Sequence, residues 1–359
     1  MRLQERALPR PAARTISAAG RLRSLDVFRG VTVAAMILVN SPGGGGAFTP
    51  LRHADWNGWT PTDMIFPSFL VIMGVSAVFS AAARRRRGQA PATTLWRVLQ
   101  RAAVLIALGL LVNYFIYPAN EGLRLTGVTQ RIALCYLGVE AFLLLDRPRV
   151  ELVAAAGLLA GYWLLLSRVP VPGFGAGVLT PEGNFAYWLD RRLLGGHLLR
   201  DPWGDPEGLL STTAALATAL LGVIAGRRLL RAGRGAAASL GAAGLALTAL
   251  GAAWETWLPL NKHLWTSSYA VFSGGLALAG LALCLGLVEG RRAVWAPPFE
   301  ALGRRALAAY VLAGLAYGIL LKFQLGASLF APWLSAPAAS LTYALAFTCA
   351  AAVVAVNAP

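Results

Sequence analysis

Ten apolar runs of about 20 residues, separated by arginine-rich or Gly/Pro-rich connectors, leave this chain few folds to choose from. They fall at 24–41, 62–83, 97–116, 127–145, 150–167, 208–226, 236–258, 264–288, 301–321 and 338–357. About 20 apolar residues, coiled as a helix, match the hydrocarbon thickness of a bilayer. The strands of a membrane barrel would alternate apolar and polar residues, whereas these runs are continuous and rich in Leu and Ala. Only 13% of the residues are charged, against about 25% in a soluble globular chain, and the mean hydropathy is +0.60. The sequence therefore predicts an all-α fold: a polytopic transmembrane helical bundle of about ten spans, an integral multi-pass protein surrounded by membrane lipid.

A net charge of +16 would suggest a nucleic-acid partner in a soluble protein. Here the arginines cluster between the apolar runs, as the positive-inside bias requires, and no nucleic-acid partner is expected. Placing the N-terminus in the cytoplasm puts 23 of the 32 basic residues on the cytoplasmic side. Residues 1–23 then form a basic cytoplasmic arm and 24–358 one transmembrane domain, with outside loops at 42–61, 168–207 and 259–263. Cys135, Cys284 and Cys349 all lie within apolar runs without C-x-x-C spacing, so neither a disulfide framework nor a metal site is expected.

The polar stretch Asn40–Phe66, N-S-P-G-G-G-G-A-F-T-P-L-R-H-A-D-W-N-G-W-T-P-T-D-M-I-F, joins the first two runs. It holds His53, one of three histidines, flanked by Arg52, Asp55, Trp56, Asn57 and Asp63. Charge counting puts this loop outside. Ionisable groups also lie in or at the ends of spans: Asp26 with Arg29, Gln130 with Arg131, Glu140, Glu255, and Glu300 with Arg304. Such groups are costly in lipid and face the bundle interior, where they pair.

Six segments carry a resemblance. They are R-L-R-S-L-D-V-F-R-G (21–30), L-R-H-A-D-W-N-G-W-T-P-T-D-M-I-F-P (51–67), G-V-T-Q-R-I-A-L-C-Y-L (127–137), D-P-E-G-L-L-S-T (205–212), P-L-N-K-H-L-W-T-S-S-Y (259–269) and P-F-E-A-L-G-R-R-A-L-A-A-Y (298–310). In this order they resemble the catalytic membrane domain of the heparan-α-glucosaminide N-acetyltransferase family and its bacterial relatives. The resemblance implies a multi-pass acyltransferase of a bacterial inner membrane. Such an enzyme takes acetyl-CoA from the cytosol and acetylates an amino sugar or glycan on the far side, without a metal. It places the family's catalytic histidine on His53 and its loop asparagine on Asn40. The run Gly43–Gly46 stands where relatives carry a bulkier stretch, so acceptor preference is expected to differ there.

Acetyl transfer needs a base, donors for the oxyanion and alignment of both substrates. Imidazole suits the base because it titrates near neutrality. Asn40 or Asn57 can offer an amide N–H, and Asp63 or Asp55 can fix the imidazole tautomer. Asp63 is also placed to cap the second span. Acceptor contacts are expected from Asp55, Trp56, Asn57, Asn261, Lys262 and Trp265, with Lys262 meeting Glu255 or an acidic sugar. Donor contacts are expected from Arg29, Gln130, Arg131 and Arg304, in a funnel lined by the first, second, fourth and eighth spans. A transporter or flippase for a sugar-containing substrate is the alternative, weakened by the lack of a fixed-period repeat. A homo-oligomer is left open.

Overall fold

The computed structural model describes residues 22–44, 46–116, 122–199 and 204–357. All but the last two residues of the predicted basic arm lie outside this set, as do Gly45, Arg200 and Trp203. The described residues form α-helices and short 3-10 turns, with one isolated bridge between Val171 and Gly175. The helices are α1 (Arg23–Asn40), α2 (Ile65–Arg86), α3 (Pro91–Ile116), α4 (Val128–Leu145), α5 (Pro148–Arg168) and α6 (Phe185–Leu194). They continue as α7 (Ser211–Ala232), α8 (Ala237–Trp254), α9 (Ser267–Val288), α10 (Ala296–Arg304), α11 (Ala306–Lys322) and α12 (Ala336–Asn357).

Each predicted apolar run falls on a helix, and the ninth falls on two, α10 and α11, bent by 83°. By length and apolarity, seven stretches can cross a bilayer, or eight with this bent pair. The difference from ten has two physical sources. α1 carries Arg23, Asp26 and Arg29 within its 18 residues, too polar for an apolar span by composition. Ser211–Trp254 counts as one stretch of 44 residues, although Gly233 at φ 53° and ψ −138° breaks the helix between α7 and α8.

Glycines set how the helices run. Gly222 lies against Val71, and Gly226 against Val75 and Val78, so α7 runs parallel to α2. Gly244 lies against Ala279, and Gly251 against Phe272, so α8 and α9 are antiparallel. α1 and α10 cross so closely that a Cβ on Gly30 would sit 1.8 Å from the Phe299 carbonyl oxygen. Small residues let backbones approach where lipid supplies no hydrophobic drive between helices. Large apolar side chains such as Val153, Leu245 and Val353 stay exposed on the outer faces, as a lipid-facing surface requires.

The bundle has two unlike ends. At one, ion pairs tie helices together: Arg84 to Glu140, Arg85 to Asp146 at 2.8 Å, and Arg227 to Asp146 at 2.9 Å and Glu151. We call this the arginine face. The other end gathers the connectors α1–α2, α3–α4 and α8–α9 with the 168–207 segment, and it holds His53. Its described part is folded around α6: Asn184 caps α6 by accepting from the Tyr187 N–H at 2.7 Å, and Tyr187 is buried.

Candidate active site

The chain enters α2 through a 3-10 turn, Pro61–Met64, closed by a capping box between Thr60 and Asp63. This turn buries Asp63 completely. Its Oδ2 accepts the backbone N–H of Thr60 at 3.0 Å and of Ala54 at 3.1 Å. Its Oδ1 faces His53 Nδ1 at 2.7 Å. One oxygen of this carboxylate closes the 3-10 turn that leads into α2 and the other meets the imidazole. An ionised carboxylate only accepts, so this contact is a hydrogen bond when the His53 proton sits on Nδ1, which leaves Nε2 as a lone pair.

Lys262, in the α8–α9 connector, completes the cluster. Its Nζ lies 2.8 Å from His53 Nδ1, 3.4 Å from Nε2 and 3.3 Å from Asp63 Oδ1. Burial pushes this ammonium below its ordinary range, and Asp63 pulls it part of the way back. The two connectors are stitched by Gly58 N–H to Leu260 O at 2.7 Å and Asn261 Nδ2 to Asn57 Oδ1 at 3.0 Å. Tyr269 Oη, from α9, donates to the Asp63 carbonyl at 2.6 Å.

A cavity of about 330 Å³ opens beside this cluster, with Asn40, His53, Thr62, Asn113, Arg124, Glu207 and Lys262 in its wall. A second, apolar cavity of about 360 Å³ shares Met36, Val128, Thr129 and Tyr310 with the first. A third, of about 900 Å³, shares Arg101, Leu105, Ile132 and Tyr136 with the second and opens among Arg84, Arg87 and Arg97. Adjacent cavities therefore share walls from the His53 end to the arginine face. The passage is lined by α1, α2, α3, α4 and α11. The predicted eighth span, α9, contributes no residue to these three cavities.

The predicted residues divide. His53, Asn40, Asp63 and Lys262 come together at this cavity; Arg29 lines the middle one, bound to Asp26 at 2.9 Å and Ser76 Oγ at 2.7 Å. The others go elsewhere. Trp265 is buried to 1% exposure, with its Nε1 on Thr218 and its ring under the Arg131 guanidinium, so no sugar can stack on it. Arg131 turns from the passage: its Nη2 binds the Pro206 carbonyl at 2.7 Å and the Ser211 hydroxyl. Gln130 is buried, with its Oε1 accepting from Thr129. Arg304 pairs with Glu300 on the surface. Asn261 organises its own loop, accepting the Leu264 N–H at 2.8 Å. Trp56 stacks on His263 and donates to Leu179 O at 2.9 Å, so its ring is engaged. Asp55 is 97% exposed beside Arg52, and Asn57 is exposed. Lys262 meets Asp63 rather than Glu255.

Three residues with no role predicted from sequence stand in or behind the cavity wall: Arg124, Asp205 and Glu207. Arg124 is bidentate to Asp205 at 2.8 and 2.7 Å and reaches Glu207 Oε2 at 2.6 Å. Burial raises the Asp205 carboxyl, but Arg124, Thr126 and the Glu207 N–H lower it further, to a net depression. Nearby, Asp190 is fully buried with one oxygen on the Leu209 N–H at 2.9 Å. Burial pushes its carboxyl up to about 6. The motif D-P-E-G (205–208) is the sequence signal for these groups, but Arg124 lies 81 residues from Asp205.

Together the helices and this centre define a multi-helix membrane protein in which a buried aspartate holds an exposed histidine beside a lysine. Residues 21–186 match the family described as heparan-α-glucosaminide N-acetyltransferase, catalytic. The chain is 31% identical over 349 residues to the heparan-α-glucosaminide N-acetyltransferase of Homo sapiens, covering 81% of this chain and 52% of that protein. It is 30% identical over 353 residues to that of Mus musculus, covering 82% of this chain and 53% of the relative. The chain thus spans about half the length of the relatives it matches. Over four fifths of its length it is similar to heparan-α-glucosaminide N-acetyltransferases.

Proposed function

We propose that this protein moves an acetyl group from acetyl-CoA, bound at the arginine face, to an amine of an amino sugar or glycan at the His53 end. The observation that carries this reading is the passage itself. It has a hydrogen-bonded Asp63–His53 pair at one end and the exposed Arg87, Arg97 and Arg101 at the other. The arginines suit the phosphates of CoA, and the apolar middle cavity suits an extended thioester arm. The positive-inside bias places the arginines in the cytoplasm, with ten passes and a cytoplasmic N-terminus, and a bacterial inner membrane is the setting that fits.

His53 Nε2 takes a proton from the acceptor ammonium. The amine nitrogen attacks the thioester carbon, a C–N bond forms and the C–S bond breaks. Of the two protons the ammonium loses, one leaves with CoA as its thiol and one reaches solvent. Asp63 holds the Nδ1 proton and turns Nε2 to the cavity. The Asn40 amide and the Lys262 ammonium are the nearby donors for the developing oxyanion.

The test is CoA release by purified protein given acetyl-CoA and glucosamine. His53→Ala is expected to lower kcat by about 10²- to 10⁴-fold with little change in melting temperature; full activity in that variant overturns the reading. A passage through the bundle is also what a sugar transporter needs. Acetyl-CoA or CoA is expected to raise the melting temperature of an acetyltransferase and to leave a transporter unmoved.

A further inference from the structure

One carboxylate in the wall of the outer cavity keeps an oxygen to which no described residue donates. Lys262 is matched by Asp63, and Arg124 by the bidentate Asp205. His263 is held by the Ala54 carbonyl at 3.1 Å. Glu207, paired with Arg124 at 2.6 Å, is the carboxylate that lines the cavity itself.

Glu207 is held firmly while half of it stays free. Its side chain is 10% exposed, and Oε2 takes an Arg124 N–H at 2.6 Å. The backbone N–H of Glu207 donates to Asp205 Oδ1 at 2.8 Å, which fixes the residue from behind. No described residue donates to Oε1, and the side chain forms part of the cavity wall it shares with His53. A carboxylate this enclosed with an unused oxygen is costly unless a cation completes it. A primary ammonium is a cation with three N–H donors, enough to meet Glu207 Oε1 and His53 Nε2 together.

We infer that Glu207 is the docking anion for the acceptor's ammonium, holding it against His53 Nε2 and rejecting acceptors that offer only a hydroxyl there. This rests on the acetyl-transfer reading and adds a residue that sets acceptor specificity. Arg124 and Asp205 are positioning residues that aim Glu207. The ammonium would dock as a cation and give its proton to His53, and the neutral amine, no longer paired with Glu207, would be released for attack.

The test compares wild type with Glu207→Gln, which keeps the shape and the oxygen that Arg124 needs. The KM for glucosamine is expected to rise about 10- to 100-fold, the range of a hydrogen bond between charged groups. The KM for acetyl-CoA and the melting temperature should stay unchanged. In wild type, glucosamine should protect against melting and glucose, which lacks only the amino group, should not. An unchanged glucosamine KM in an active Glu207→Gln protein, or equal protection by glucose, overturns the inference and leaves acetyl transfer standing. If Glu207→Gln does not fold, Glu207→Asp decides. It keeps the charge on a shorter arm, so glucosamine KM should rise less than 10-fold with glucose still excluded; loss of the preference for glucosamine over glucose overturns the inference. No CoA release by wild type with any amine would instead remove the reading beneath it.

Discussion

At the His53 end of the passage, Asp63 is clamped by two backbone N–H groups and the imidazole, and Arg124 by two carboxylates. At the arginine face, by contrast, Arg87, Arg97 and Arg101 stand exposed at a mouth of about 900 Å³. Among the described residues, Arg97 is tied only to the Gln89 side chain at 2.9 Å. Charges paired and dry hold their geometry and respond to pH. Charges in solvent are loosely held and respond to salt. On the proposed reading, the first end carries the chemistry and the second captures a polyanionic donor.

The largest effect should come from removing the charge that orients His53. Asp63→Asn replaces an acceptor-only group by one that can donate to Nδ1 and turn the tautomer over, and kcat is expected to fall by about 10³- to 10⁴-fold. CoA release with acetyl-CoA saturating measures it, and a fall below tenfold breaks the assignment of chemistry to this end.

A smaller effect concerns pH. The folded Asp190 carboxyl titrates at about 6 against an ordinary 3.8. A raised carboxyl stabilises the folded state fully below its unfolded value, and that contribution is lost as pH rises through the folded one. Melting curves between pH 4 and 7 should therefore show wild type losing about 3 kcal/mol that Asp190→Asn does not lose. Equal pH slopes for the two proteins would mean the buried end is less dry than the geometry requires.

The smallest effect belongs to the loose end. Arg97→Gln and Arg101→Gln should each raise the KM for acetyl-CoA by about tenfold or less, as a solvent-screened contact allows. The wild-type KM should climb with ionic strength, and kcat should stay put. A kcat loss in either variant would blur the division between the two ends.

Much of the architecture is legible in the sequence because it depends on local composition: apolar runs make helices wherever lipid forbids an unpaired backbone. The bent α10–α11 pair and the α6 helix are not, since the bend comes from packing against α1 and α6 lies in a polar connector. His53 and Asp63 stand out because ten residues separate them within one crowded polar loop. Lys262 is hinted at by its rarity, but its partner is a residue 199 positions away in the numbering, which no local pattern records. Arg131 misleads for the opposite reason: a charge in an apolar run signals burial, and here burial serves to hold the Pro206–Ser211 segment and Trp265. Gly43 shows the same limit. Its φ of +69° and its carbonyl bond to Ala327 N–H at 2.8 Å clasp the α11–α12 connector, so that glycine serves packing between distant segments.

The central claim is that the two ends belong to one reaction path across a membrane. Proteoliposomes of uniform orientation test it directly, with radiolabelled acetyl-CoA on one side and glucosamine on the other. Labelled N-acetylglucosamine should form when the donor is on the arginine side and the acceptor on the His53 side, and should vanish with His53→Ala. Product formed with both substrates confined to the His53 side, or undiminished in the variant, would contradict the account.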